Sequence, residues 1–168
     1  VISWREFVAE FTGTALLLAV GLSAIVVDFA PGLPVVTAIP SAALRRLVTG
    51  VLFAGTATAL VYSPLGRISG GHFNPAVTLA FFRLRKMTRF GAVGYALAQL
   101  AGAIAGSFLV ALVWGRYASS VAVGVTVPAL GGPIAATAAE TAMTFALLYL
   151  VLSFVDRPRG VAGTTPPP

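Results

Sequence analysis

The stretch S-G-G-H-F-N-P-A-V-T-L-A-F-F, residues 69–82, decides how the rest of the chain is read. Its surroundings are very apolar, yet the uncharged run between Arg67 and Arg83 is only about 15 residues. A helix needs ~20 to cross a bilayer. The run also carries two glycines, a histidine, an asparagine and a proline. In lipid every backbone N–H and C=O needs a partner, so non-helical backbone persists only where protein buries it or water lines it. Pro75 suits the first position of a helix, where its missing N–H costs nothing. Asn74 then reads as the N-cap, and A-V-T-L-A-F-F as a short helix. The expectation is a re-entrant loop that enters and leaves by one face, with the positive end of a half-helix dipole near mid-membrane.

The rest of the sequence supplies the membrane. Of 168 residues, 58% are hydrophobic and 10% charged, where a soluble domain carries about 25% charge. Mean hydropathy is +0.94. The fold class expected is an all-α membrane protein. Spans are predicted over residues 7–27, 44 or 47–65, 90–114 and 134–155, with the short run between the second and third. The net charge is +6. The eleven Lys and Arg lie between apolar stretches rather than in one stripe, which favours membrane orientation over nucleic-acid binding.

Threading the spans puts Arg5, Arg67, Arg83, Arg85, Lys86, Arg89, Arg157 and Arg159 on one side. Arg45, Arg46 and Arg116 fall on the other. The positive-inside rule then places the N-terminus and the tail in the cytoplasm, provided the short run is re-entrant. There is no cysteine and one histidine, His72, so no thiol chemistry, disulfide or metal centre is expected, and no cofactor. The carboxylates are few and scattered and suggest no enzyme.

A faint repeat relates residues 8–18 to 138–148. Glu10 falls on Glu140 and Thr14 on Thr144, in spans that run in opposite directions. Inverted repeats are a recurring device of channels and transporters. Ala98, Gly102 and Gly106 form a small-residue stripe on the third span, suited to close helix contact within the bundle or between protomers.

The chemistry expected of the short run is recognition of a neutral solute. Carbonyls of Gly70, Gly71 and His72 in an extended segment would form a ladder of acceptors, and the Asn74 amide offers a donor at its end. Water or a polyol can trade hydration for these groups, whereas a bare cation meets the positive helix end. A passive channel is the first reading. A secondary transporter is the second, although only His72 among ionisable residues stands beside the broken helix. A non-conducting membrane protein is the third.

S-G-G-H-F-N-P-A-V-T resembles the first Asn-Pro-Ala loop of the aquaporin, or major intrinsic protein, family. A-E-F-T-G-T, A-Q-L-A-G-A-I-A-G and A-E-T-A-M-T-F-A-L resemble that family's first, third and fourth helices. The resemblance implies an aquaporin-like bundle of four transmembrane helices plus one re-entrant half-helix. It further implies that Asn74, Pro75 and Ala76 form half of the central constriction, and that the Gly70, Gly71 and His72 carbonyls line the cytoplasmic half of the pore. Glu10 and Glu140 would be buried loop supports, and Ala54 would occupy a filter position on the second span. An alanine there favours glycerol or another small uncharged solute alongside water. Family members are typically tetramers, and the plasma membrane is the expected location. By this reading residues 1–133 are the first repeat, with its loop at 66–83, and 134–168 the first span of the second. Carrying the Glu10-to-Asn74 spacing over from Glu140 places a second loop at roughly position 204. The 168 residues therefore read as an incomplete bundle, a fragment or a half-channel lacking the second pore half.

Overall fold

A computed structural model describes residues 3–128 and 131–155. The chain divides into two units, Val1–Val127 and Pro128–Pro168. Among the described residues all regular structure is helical. In the first unit α1 spans Trp4–Phe29, α2 Pro34–Ala38, α3 Ala42–Tyr62, α4 Pro64–Ser69, α5 Pro75–Arg83, α6 Arg89–Trp114 and α7 Arg116–Ser120. A single 3₁₀ turn follows at Ala122–Gly124. The second unit holds α8, Gly132–Val155. Four of these helices, α1, α3, α6 and α8, are long and apolar enough to cross a membrane. Arg157 and Arg159, assigned above to the cytoplasmic side, lie outside the described residues.

Local chemistry sets the helix starts. Ser41, Ser63 and Thr88 cap α3, α4 and α6 by accepting from the N–H groups of Leu44, Leu65 and Gly91. The second span ends at Tyr62, not at residue 65. Pro64 cannot continue a helix, so Ser63 closes α3 and opens α4 with the proline at its first position. The first span also runs past its predicted end at residue 27, because α1 continues to Phe29 and takes Asp28 into the bundle. Asp28 is buried and accepts from the Thr49 hydroxyl. Arg45 is buried too, donating to the carbonyls of Ile39 and Pro40 and lying 5.3 Å over the Phe29 ring.

Helices α1 and α6 run parallel and touch most closely. A Cβ at Gly102 would strike the Phe11 carbonyl, and one at Gly106 the Ala15 carbonyl. The small-residue stripe therefore serves contact inside the bundle, letting two backbones approach where side chains would hold them apart. Helix α3 approaches α1 through Phe53, whose ring lies on Gly21. Leu22, Val26, Ala30, Val110 and Ala118 form the apolar core at one end. Trp114 donates to Ser23 across the α1–α6 seam (2.9 Å). Toward the other end the interior is polar: Glu10, Thr14, Ser69, His72, Thr78 and Gln99 are all buried. Large apolar side chains such as Leu97, Ile104 and Phe108 point outward, as lipid allows.

Candidate functional site

Helix α4 ends at Ser69, where Gly70 takes a left-handed conformation (φ 87°) and its N–H returns to the Gly66 carbonyl (2.8 Å). Gly71 (φ 66°) and Phe73 (φ 43°) are left-handed as well. The expected extended ladder is thus corrected to a tight reversal. Few residues separate two helices, and glycine adopts such dihedrals at no steric cost. Asn74 returns to extended backbone and caps α5, its Oδ1 accepting from the Ala76 N–H (2.8 Å), with Pro75 at the first helical position. At nine residues α5 is about 14 Å long, roughly half the hydrocarbon thickness.

Among the described residues the carbonyls of Gly70, Gly71 and His72 accept no hydrogen bond, and the Asn74 amide nitrogen donates none. Gly70 and Pro75 are exposed, while Gly71, Asn74 and Ala76 are half-buried. Three acceptors and one donor thus remain available beside the N-terminus of α5.

Glu10 holds this loop from α1. It is fully buried. Its Oε1 accepts from the Ser69 hydroxyl (2.6 Å) and the His72 N–H (3.0 Å). Its Oε2 accepts from the Phe73 N–H (2.7 Å) and from Gln99 Nε2 (2.7 Å). Four donors suit an ionised carboxylate, which is acceptor-only. Gln99 donates its second proton to Thr78 (3.0 Å), whose hydroxyl also meets His72 Nδ1 (3.1 Å). The Tyr95 hydroxyl donates to the Ser69 carbonyl (2.7 Å). The Phe73 ring covers Gly13, filling the space any larger residue would need. A left-handed phenylalanine costs about 1–2 kcal/mol. The Phe73 bond to Glu10 and the burial of its ring offset that strain.

Sequence reading singled out Glu10 but missed Ser69, Thr78, Tyr95, Gln99 and Gly13. A signal was present: Tyr95 and Gln99, four positions apart, are polar groups on one face of an otherwise apolar half-span. It also set His72 alone beside the broken helix, whereas the fold brings Glu10 there. Ala54 is exposed on α3, while its neighbour Phe53 turns toward α1. Glu140 stands on α8, in the second unit. No three His, Cys, Asp or Glu side chains among the described residues gather closely enough to hold a metal.

Similarity to known proteins extends over nearly the whole sequence. The chain is 36% identical over 165 residues to the lens fiber major intrinsic protein of Gallus gallus, covering 96% of this chain and 57% of that one. It is 38% identical over 163 residues to a PIP-type aquaporin of Atriplex canescens, with 93% and 53% covered. To glycerol uptake facilitator protein-like 6 of Lactiplantibacillus plantarum it is 34% identical over 160 residues, with 94% and 67% covered. The chain thus spans about half the length of the first two relatives. The model of the major intrinsic protein family matches residues 1–167, and with four helices long and apolar enough to cross a membrane, the chain belongs to that family.

Proposed function

We propose that this chain builds one half of a passive transmembrane pore for water and small uncharged solutes such as glycerol. The observation that carries the reading is the set of unpaired groups at the loop. The Gly70, Gly71 and His72 carbonyls lead to the Asn74 amide, at the positive end of a half-helix. A neutral solute with donors and acceptors can exchange its hydration for them. A proton or cation meets an electrostatic barrier. In this reading Asn74, Pro75 and Ala76 form half of the constriction, and Ala54 leaves the filter wide on the α3 side. Glu10 is the loop's support, and Glu140 plays the matching part in a second repeat that begins at residue 134, after a first repeat of residues 1–133.

The relatives' names, aquaporin and glycerol uptake facilitator, point the same way. The protein is a conduit rather than a catalyst: Glu10, the carboxylate at the loop, is occupied by four donors and has no capacity left as a base. We place the N-terminus in the cytoplasm and the protein in the plasma membrane, assembled as a homo-tetramer like its family. The test is stopped-flow osmotic shrinkage of proteoliposomes holding the chain joined to the second half of a relative. Asn74→Asp should lower water permeability at least tenfold, because a carboxylate replaces the donor at the helix end. Equal permeability would remove the assigned role of Asn74.

A further inference from the structure

We infer that the end of the first unit bearing residues 83–89 is a binding surface for anionic phospholipid headgroups. The N-termini of α1 and α6 lie together there, with Phe7 and Phe90 in edge contact at 6.1 Å. Residues 84–88 join α5 to α6, so the C-terminus of α5 shares this end. Arg5, Arg83, Arg85 and Arg89 are all exposed, and Arg67 is exposed on α4. Among the described residues none of these five guanidinium groups has a hydrogen-bond or ion-pair partner. At the opposite end Arg45 is buried on two carbonyls and Arg116 lies over Tyr117, which leaves Arg46 as the one exposed arginine there without a partner among the described residues. Trp4 (72% exposed) and Phe90 (74%) stand beside the cations, marking the level where hydrocarbon gives way to headgroups.

Backbone strain singles out one of the five. Helix α5 closes with Leu84 as cap, the Arg85 N–H on the Phe82 carbonyl and the Lys86 N–H on the Phe81 carbonyl, both 2.9 Å. This is the Schellman arrangement, whose left-handed position is usually glycine. Here it is Arg85, at φ 57°. A glycine would form the same turn without the Cβ conflict, so the arginine is kept at a cost to the fold. Neutralising the helix dipole calls for one cation near the last turn, which Arg83 supplies. Membrane orientation counts charges but does not require a strained one. A cluster of four or more basic residues just beyond membrane spans attracts acidic lipid, and each engaged charge contributes about a fivefold preference.

The test reconstitutes the chain in bilayers containing brominated lipids, which quench nearby tryptophan. Trp114→Phe leaves Trp4 as the reporter at this end, and Trp4→Phe leaves Trp114 as the reporter elsewhere on the bundle. The expected result is that brominated phosphatidylglycerol associates at Trp4 at least about threefold more strongly than brominated phosphatidylcholine, with a ratio near one at Trp114. Arg83→Gln with Arg85→Gly should bring the Trp4 ratio toward one while leaving the thermal midpoint unchanged or raised. A ratio near one at Trp4, or one insensitive to the arginines, overturns the inference. So does loss of the preference in inorganic phosphate at matched ionic strength, which would make free phosphate the ligand. Native mass spectrometry of the unsubstituted chain gives a check independent of the tryptophan variants. Retained phosphatidylglycerol should fall in the arginine variant, and equal retention refutes the assignment.

Discussion

Replacing Glu10 by glutamine changes no volume and removes one charge, so its effect isolates what the carboxylate does for the loop. The carboxylate receives Ser69 and His72 on one oxygen and Phe73 and Gln99 on the other. An amide can accept on only one of those sides. If its NH₂ faces Phe73 and Gln99, Gln99 can turn its own unpaired Oε1 inward to accept, but the Phe73 N–H has no partner. If the NH₂ faces Ser69 and His72, the Ser69 hydroxyl can rotate to accept, but the His72 N–H has none. Either way one buried backbone donor is orphaned, at about 1–3 kcal/mol. The three surviving bonds also lose their charge assistance, about 1 kcal/mol each, partly offset by the cheaper burial of a neutral group. The net expectation is about 2–4 kcal/mol of local destabilisation. Amide hydrogen exchange in detergent micelles reads it directly. A peptide covering residues 69–78 should exchange about 30- to 900-fold faster in Glu10→Gln, as 1.36 kcal/mol corresponds to a factor of ten. A peptide from the second half of α6 should be unchanged. Exchange at residues 69–78 within threefold of the original protein would refute the anchoring role.

Tyr95→Phe keeps the ring beside Phe7 and removes the donor to the Ser69 carbonyl, so about 1–3 kcal/mol should be lost, seen as a lower thermal midpoint in micelles. Gly102→Ala drives a methyl into the Phe11 carbonyl and should cost about 1–3 kcal/mol in the same assay. Gly50→Ala on α3 meets nothing within 4 Å and should have the opposite sign, stabilising by about 0.5–1 kcal/mol.

The four spans and the half-helix could be read from sequence because each rests on a local rule. Hydrophobic length marks the spans, and an asparagine before a proline marks the start of α5. Helix α4 is divided between the predicted second span, which runs to residue 65, and the predicted loop at 66–83, because apolar length alone does not register where Pro64 breaks a helix and starts another. The loop's dihedrals were misjudged for a similar reason. Two glycines permit extended and left-handed backbone equally, and it is the grip of Glu10 on successive N–H groups that selects the turn. Tyr95 and Gln99 carry a local signal, two polar groups on one helix face, but neither they nor Thr78 show in sequence what they bind. Their meaning comes from the parallel α1–α6 register, which brings positions 10 and 99 into contact.

That register has a consequence for how the protein is made. The carboxylate on α1, a helix made before α6, meets its last partner 89 positions later. A nascent chain that has inserted only α1 and α3 carries a carboxyl group in the lipid with none of its four donors in place, a costly state for any insertion machinery to release. The hairpin of α4 and α5 then brings Ser69, His72 and Phe73 to that group, and α6 adds Gln99 last. The grip on the loop is therefore completed only when the helix synthesised after it arrives alongside.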